Sequence, residues 1–405
     1  MTERRRKLIK KGLRLKYLFW FFYFVLMTTL CADGDNGRVI YFSTFMLFAI
    51  AIAMNIKMSR TKLYQATNVW YFFFWIFGIL SIIWSIRRAD SYGMTRIILR
   101  QFAVIIALGL GIDSIKNIHI ALKIYLVSCT IMMLKISIYM ARGYSGSKMW
   151  DAICGNYFNT VAQILALSIA VALYLFQHEV EIRKKALYII YTVFAFYHII
   201  ATGSRKGLIM PLVAIGVYLI VKSGADLKKI LRNILIFIAG AVVLGYVLMQ
   251  NEELAVRLNM VVELILQGNA VDESSVLRMA FIQLAKEMFI TSPLLGCGLN
   301  TFASQCLINY GRYYYAHNNF FELLSGVGIV GFVSYYWIYA YSIYKFYVMR
   351  KKHDIYILGL SVWLTLIFFE YGIVTYSVLL YPILLTILAI SYRKDIELEE
   401  KIDVS

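Results

Sequence analysis

The residue types best suited to chemistry lie in one polar interval, residues 250–319, between two strongly apolar halves of the chain. This interval contains Arg278, the turn sequence Ser292-Pro-Leu-Leu-Gly-Cys-Gly298 and His317. Arginine binds phosphate oxygens through paired hydrogen bonds. Histidine, with an unperturbed pKa of about 6.5, can act as a base near neutral pH. The combination indicates an anion site beside a proton acceptor.

The elements that must position these residues are membrane helices. The 405 residues are 61% hydrophobic and 16% charged, whereas soluble domains are about 45–50% apolar and about 25% charged. Many apolar runs approach the length of a bilayer crossing, and a backbone in lipid must satisfy its hydrogen bonds internally. We therefore predict an all-α polytopic membrane protein with about twelve transmembrane helices. The predicted spans are 15–31, 39–56, 69–84, 97–112, 118–139, 158–176, 186–201, 207–221, 230–249, 319–344, 354–371 and 373–392.

The basic residues predict how these helices are oriented. With the N-terminus in the cytoplasm, most of the 41 Lys and Arg residues fall in cytoplasmic segments, as the positive-inside rule requires. Both termini are then cytoplasmic and the long polar interval is extracytoplasmic. The net charge of +18 is explained by helix flanks that contact anionic lipid, not by a nucleic-acid partner.

This topology divides the chain into three parts. Residues 1–249 form an N-terminal transmembrane bundle of about nine helices, and residues 250–318 form an extracytoplasmic catalytic loop. Residues 319–405 contain about three further helices and a cytoplasmic tail.

Short amphipathic helices are predicted within the loop, at 253–266, 276–290 and 300–308. Arg278 would then lie in the first turn of the second helix, where the helix dipole disfavours a cation. The glycines of the following turn let the backbone turn tightly or approach a ligand. The run Tyr310-Gly-Arg-Tyr-Tyr-Tyr315 is either an interfacial aromatic anchor or a surface that stacks on a sugar ring.

Several cations break the positive-inside rule, because they fall on the predicted outer face: Arg87, Arg88, Arg96, Arg205, Lys206, Arg257, Arg278 and Arg312. Each one alone could extend to the outer headgroups, or pair with Asp90 or Glu273. For the whole set, convergence on an anion is the better account. Arg88 and Arg96 are candidate binding residues on this topological ground alone.

Three short motifs occur in order between about residues 200 and 335. Thr202-Gly-Ser-Arg-Lys-Gly207 resembles the (S/T)GSR signature of the O-antigen ligase and Wzy-type polymerase superfamily. Arg278 with Ser292-Pro-Leu-Leu-Gly-Cys-Gly-Leu-Asn-Thr-Phe302 resembles the loop pattern of that superfamily, R…P..G.G...F. Ala316-His-Asn-Asn-Phe-Phe-Glu322 resembles its HN.yle entry into the next helix.

The resemblance implies a glycosyltransferase of the C-type fold that uses glycans linked to undecaprenyl diphosphate and no metal or other cofactor. It carries the superfamily's functional residues to Arg205, Arg278 and His317, and nothing at these three positions departs from the pattern.

The residues also suggest the roles. A lipid diphosphate leaving group needs its negative charge stabilised as the glycosidic bond breaks, and fixed cations can replace a metal for this purpose. Arg205 and Arg278, helped by Lys206 or Arg312, are the candidate diphosphate clamp, and His317 binds or deprotonates the acceptor hydroxyl. Further candidate binding residues are Asn318, Glu322 and Tyr314, where Glu322 either orients the site or pairs with an arginine.

The interpretation favoured by the sequence is a polymerase of a surface polysaccharide, capsular, exopolysaccharide or O-antigen, in a bacterial cell membrane. Its partners would be the lipid-linked oligosaccharide, the growing glycan, membrane lipids, and a flippase and chain-length regulator of the same pathway. Two alternatives stay open: a ligase that moves finished glycan to another acceptor, and a flippase of lipid-linked oligosaccharides. The polymerase is favoured over the ligase because no extra outer domain is seen for a macromolecular acceptor. A flippase is less favoured because the cations crowd one face and one loop.

Overall fold

The computed structural model describes residues 3–34, 36–55, 62, 64–144, 150, 153–224, 226, 228–232, 235, 246, 250, 273–393 and 396. These residues fold into helices joined by turns. The helices are α1 (Glu3–Ala32), α2 (Gly37–Met54), α3 (Ala66–Trp84), α4 (Arg88–Gly111), α5 (Ile115–Ala141), α6 (Phe158–His178), α7 (Ile182–Thr202), α8 (Arg205–Ser223), α9 (Glu273–Thr291), α10 (Phe302–Tyr310), α11 (Asn319–Met349), α12 (Asp354–Phe369) and α13 (Leu380–Ile390).

Within the described residues, nine helices are long and apolar enough to cross a membrane, namely α1 to α8 and α11. Two shorter apolar helices, α12 and α13, accompany them. The prediction of an all-helical, multi-pass membrane protein is therefore confirmed. The predicted span 230–249 and the predicted surface helix 253–266 with Arg257 lie outside the described residues.

Several predicted boundaries are wrong, and the differences at α4 and α13 matter most for the site. Helix α4 begins at Arg88 instead of 97, because the polar side chains of its first turns are hydrogen-bonded. The Thr95 hydroxyl donates to the Ser91 carbonyl, the Ser91 hydroxyl donates to the Leu299 carbonyl, and the Asp90 carboxylate accepts from the Ser304 hydroxyl. The last predicted span, 373–392, is helical only from Leu380.

The helices pack around an aromatic centre. Trp70 of α3 is buried against Tyr335 of α11, with ring centroids 5.4 Å apart, and against Trp363 of α12, at 6.4 Å. Tyr339 packs edge-on against Trp363 at 4.9 Å. This centre joins α3, α11 and α12.

Helix ends meet on two opposite faces of the bundle. On one face Lys222 Nζ lies 2.7 Å from the Asp354 carboxylate and His178 Nε2 lies 3.4 Å from it. On the other face the Asn156 amide donates to the Leu30 carbonyl at 3.0 Å. We call this second face the site face, because the turns after α3, α7 and α12 and the loop segment 292–318 lie there.

Helix α11 is broken at Gly328, whose φ of 61° and ψ of −168° are not helical. The loop segment 293–298 lies in the break and replaces the missing helical hydrogen bonds. The carbonyls of Ser325 and Gly326 accept from the amides of Cys297 and Gly298, at 2.9 and 2.8 Å.

The amides on the other side of the break are satisfied in the same way. Ile329 N donates to Pro293 O at 2.9 Å, and Val330 N donates to Leu294 O at 3.1 Å. We call this arrangement of residues 293–298 and 325–330 the splice. It fixes the end of α9 to the middle of a membrane helix, and so anchors the loop that carries the candidate residues.

Candidate functional site

The turn between α7 and α8 is held by its own side chains. Gly203 ends α7 in the left-handed conformation, with φ 65°. The Ser204 hydroxyl then accepts from Gly207 N at 3.2 Å and so caps α8. It also donates to Asn159 Oδ1 at 2.7 Å, which ties the turn to the start of α6.

Two of the candidate cations follow this cap directly. Arg205 is the first residue of α8, and its side chain lies outside the described part of the structure. Lys206 Nζ donates to the carbonyl of Gly372, in the segment between α12 and α13. The second cation of the turn is therefore bound to a segment far away in sequence.

A cavity of about 220 Å³ opens in the loop. Its lining brings together four of the residues singled out from sequence, with two apolar neighbours: Arg278, Arg312, Tyr314 and His317, with Leu277 and Phe281. Two of the three proposed catalytic residues thus share one cavity. Their positions in the chain, on α9 and just before α11, are about forty residues apart.

His317 is held in an uncommon backbone conformation, with φ 57°. Two contacts flank it: Ala316 N donates to the buried Glu322 carboxylate at 2.5 Å, and the Asn318 side chain caps α11 by accepting from Phe321 N at 3.1 Å. Glu322 therefore positions the His317 backbone, and among the described residues it forms no ion pair with an arginine.

Aromatic rings enclose the His317 imidazole. It stacks nearly parallel to Phe281, with centroids 6.2 Å apart and an interplanar angle of 7°. The Tyr315 ring lies closer, at 4.2 Å. Phe281 also stacks on Tyr314 at 6.0 Å, and Tyr314 leaves 46% of its surface exposed.

The surroundings of His317 keep its imidazole neutral. Burial, together with the smaller effects of the nearby cations Arg278 and Lys206, lowers its pKa to about 3. Within the described part of the chain, no carboxylate counteracts this shift of the pKa. At neutral pH the ring can accept a proton or a hydrogen bond, and it carries no charge of its own.

Arg278 has no acidic partner among the described residues. Its Nε is buried without a hydrogen-bond partner. Because α9 begins at Glu273 and not at 276, Arg278 lies in the second turn of the helix, and the prediction that it lies in the first turn is wrong. The helix dipole therefore has little effect on Arg278, whereas its unpaired charge favours an anionic ligand.

The structure does not bring every predicted binding residue to the cavity. Arg88 and Arg96 are exposed on α4 and are absent from the cavity lining. The Arg96 guanidinium lies over the Tyr92 ring at 5.8 Å. Asn318 follows His317 in sequence, and its Nδ2 atom is buried without a hydrogen-bond partner. This atom is therefore available to donate a hydrogen bond to a ligand.

Two glycines of the loop, Gly296 and Gly298, allow close packing of the backbone. A Cβ on Gly296 would lie 2.4 Å from the Gly326 backbone, and one on Gly298 would lie 2.2 Å from Ser85 Oγ. Both have positive φ, 71° and 110°. The tight-turn prediction is confirmed, and the close approach is to α11 and to the α3–α4 turn.

Sequence reasoning missed Glu370, which is fully buried at the end of α12. Its carboxylate accepts from the Tyr336 and Tyr339 hydroxyls, at 2.7 Å each. The signal that could have identified it is an acidic residue inside an apolar run, Ile367-Phe-Phe-Glu-Tyr371, because ionisable residues in membrane segments are costly and often functional.

The part of the chain that the structure describes contains no group of three or more His, Cys, Asp or Glu residues arranged to hold a metal ion. The cysteines Cys297 and Cys306 of the loop are free thiols.

Residues 190–336 match the family model Wzy_C, whose description is O-Antigen ligase. The match confirms the resemblance to the O-antigen ligase and Wzy-type superfamily, and it covers the α7–α8 turn, the splice, the cavity and the first half of α11. No curated protein matches the chain.

Proposed function

We propose that this chain, a multi-pass membrane protein with an O-antigen ligase family domain, is a metal-independent glycosyltransferase that polymerises a surface polysaccharide. The donor is a glycan on undecaprenyl diphosphate, and the acceptor is a hydroxyl of the next lipid-linked repeat unit. The single observation that carries the proposal is the cavity that joins Arg278, Arg312 and His317 without a carboxylate in its lining.

The charge of this cavity suits a diphosphate. Arg278 and Arg312 line it, and Lys206 is close enough to affect His317. An uncompensated guanidinium that is partly withdrawn from water is costly, and an anionic ligand with several oxygens removes that cost. We assign Arg278 and Lys206 to the diphosphate, and we propose Arg205 and Arg312 as further ligands of its oxygens.

The transfer step is a displacement at the anomeric carbon of the donor. The acceptor oxygen forms a bond to this carbon while the bond to the diphosphate oxygen breaks, and the bonding electrons leave with the diphosphate. Fixed cations stabilise that developing charge. The acceptor hydroxyl proton passes to His317 and from there to solvent.

Donor binding prepares His317 for this step. Burial and the two cations hold its pKa at about 3, so by itself it is a weak base. A diphosphate held by Arg278 and Lys206 offsets their charge, which raises the pKa and makes the imidazole a better proton acceptor. The imidazole is therefore a stronger base with the donor bound than without it.

The glycan contacts the aromatic side of the cavity. Tyr314 is partly exposed and is supported from behind by Phe281, which suits stacking on the apolar face of a sugar ring. The unpartnered Asn318 Nδ2 supplies a hydrogen-bond donor for a hydroxyl or phosphate oxygen.

We place the site face outside the membrane, with both termini in the cytoplasm, because this orientation puts most basic residues inside. The flippase and the chain-length regulator of the pathway are further partners in this proposal, as are membrane lipids.

The test is transfer in proteoliposomes that contain the purified full chain and a lipid-diphosphate oligosaccharide. Products of increasing length support the polymerase, transfer only to an added non-lipid acceptor indicates a ligase, and movement of unextended units across the bilayer indicates a flippase. We expect Arg205→Ala and Arg278→Ala to abolish transfer while the protein still inserts.

For His317, the third proposed catalytic residue, His317→Asn is a more informative variant than His317→Ala. Asparagine tolerates the left-handed conformation that His317 adopts, and alanine does not, so the loss of the imidazole is separated from backbone strain. Arg96→Ala is the matched control, because it removes an exposed arginine from the same face but not from the cavity. Full activity in all three site variants would refute the site assignment.

A further inference from the structure

The segment 370–376, between α12 and α13, connects the separate parts of the candidate site. Lys206 of the α7–α8 turn donates to the Gly372 carbonyl. Asn319, at the start of α11, donates its backbone amide to the Glu370 carbonyl at 2.8 Å. We call residues 370–376 the bridging segment. It lies outside the family match at 190–336.

The bridging segment also reaches the loop that contains the splice. The Tyr376 hydroxyl donates to the Asn300 side chain at 3.2 Å. Asn300 is in the left-handed conformation, with φ 63°. One short segment thus contacts Lys206 of the α7–α8 turn, the start of α11 after His317, and Asn300 just after the splice.

A buried carboxylate organises this segment. Glu370 has no exposed surface, and its two oxygens accept from three hydroxyls. Tyr336 donates to Oε2, and Tyr339 and Thr375 donate to Oε1. No cation forms an ion pair with it among the described residues, so hydroxyl donors alone satisfy it.

The same network also fixes the Asn319 side chain by hydrogen bonds. Its Nδ2 donates to the Tyr336 hydroxyl at 2.7 Å, and its Oδ1 accepts from the amides of Thr375 and Tyr376, at 3.0 and 3.4 Å. Because the Tyr336 hydroxyl accepts from Asn319 and donates to Glu370, the carboxylate fixes the direction of that hydrogen-bond chain. Asn319 is two residues after His317.

We infer that Glu370 is a positioning residue, which sets His317 relative to Lys206 by fixing Asn319 on one side and the bridging segment on the other. It does not touch the substrate, since it is fully buried and its oxygens face α11 and Thr375. The inference deepens the proposed function and rests on it for its effect on transfer. An ionisable group inside a membrane protein that makes no ion pair is costly, and this role accounts for its presence.

Glu370→Gln tests the inference with little change in volume. A glutamine amide places a donor where the Tyr336 hydroxyl now donates, so the chain from Glu370 through Tyr336 to Asn319 is broken. Tyr336→Phe breaks the same chain from the other side and leaves the carboxylate in place. Tyr344→Phe is the matched control, because it removes a hydroxyl from an exposed ring of the same helix.

The first readout does not require activity. The purified full-length protein is treated with diethyl pyrocarbonate between about pH 5 and pH 8, and modification of the peptide that contains His317 is followed by mass spectrometry. His317 of the wild type stays neutral in this range, because burial and, to a smaller extent, Arg278 of α9 and Lys206 of α8 hold its pKa at about 3. Its modification rate is therefore nearly constant.

In Glu370→Gln and Tyr336→Phe we expect the start of α11 to shift, so that His317 loses burial, the main cause of its lowered pKa, and titrates closer to its ordinary range. If its pKa rises to about 6, the neutral fraction at pH 5.5 falls about fourfold, and the modification rate at pH 5.5 falls by the same factor relative to the rate at pH 8. Transfer by these variants should show a kcat reduced about tenfold or more, with the donor KM changed by less than about threefold, because the cations remain present.

The inference would be overturned if His317 were modified with the wild-type pH dependence in both Glu370→Gln and Tyr336→Phe. It would also be overturned if the control Tyr344→Phe showed the same altered pH dependence as these two variants. If Glu370→Gln fails to fold, Tyr336→Phe decides alone. If the wild type transfers no glycan, the proposed function fails, whereas the modification experiment still decides whether Glu370 positions His317.

Discussion

Replacing Gly296 by alanine should detach the loop from α11 at the splice. The new Cβ would lie 2.4 Å from the Gly326 backbone carbon and oxygen, whereas ordinary contacts begin at 3.4 Å. The two backbones must therefore separate by about 1 Å. Hydrogen bonds of 2.8–3.1 Å at the splice would lengthen to about 4 Å and be lost.

The magnitude follows from the groups involved. The four hydrogen bonds of the splice contribute about 1 kcal/mol each, and the positive φ of 71° adds about 1 kcal/mol of strain for a non-glycine residue. The cost of about 5 kcal/mol is comparable to the whole stability of many proteins. Since α9 carries Arg278 and ends at the splice, we expect the cavity to be lost together with transfer.

The assay compares Gly296→Ala with Gly311→Ala in detergent, by thermal unfolding and by transfer activity. Gly311 has nearly the same φ, 66°, but open space around its Cβ position, so it reports the strain alone. Gly311→Ala should keep most of the activity, and Gly296→Ala should lose at least about a hundredfold. Equal stability and activity in the two variants would refute the account of the splice.

Three further predictions follow from the site. The kcat/KM for transfer should not fall between about pH 8 and pH 5 through protonation of a histidine. The pKa of His317 is about 3 in the free protein, so its neutral form is lost only as the pH falls through that value. A fall in kcat/KM with a midpoint near about pH 6.5 would contradict this. EDTA should leave transfer intact, since fixed cations serve the diphosphate, and inhibition that Mg²⁺ or Mn²⁺ reverses would exclude the arginine clamp. Arg96→Ala should change kcat/KM by less than about threefold, because Arg96 lies outside the cavity; a loss as large as that of Arg278→Ala would show that α4 contributes to the site.

The sequence predicted the helices well because apolar runs of bilayer length leave few alternatives to a helix. It also located the start of α11 at residue 319, where the Asn318 side chain caps the helix in the structure. The meeting of Arg278 and His317 in one cavity was a hypothesis from their types and the motif order, and the geometry places them together.

The bridging segment could not be predicted from apolar patterns. Residues 373–379 are mostly apolar and read as the start of a span, but the amides of Thr375 and Tyr376 bond to the Asn319 side chain instead of forming a helix. A hydrogen bond between residues more than fifty positions apart has no periodic signature. The glycines of the loop gave a signal of close approach, but the sequence did not identify α11 as the partner.

The break in α11 has a consequence for the biogenesis of the protein. While α11 enters the bilayer, the carbonyls of Ser325 and Gly326 and the amides beyond Gly328 lack helical partners, and such groups are costly in lipid. Residues 293–298 are synthesised before α11, so they can supply the missing hydrogen-bond partners at the site face while α11 inserts. Glu370 and the bridging segment follow later in synthesis. The candidate site is therefore completed only after the last helices have been inserted, and a nascent chain that ends before them would hold Arg278 and His317 without the geometry that joins them to Lys206.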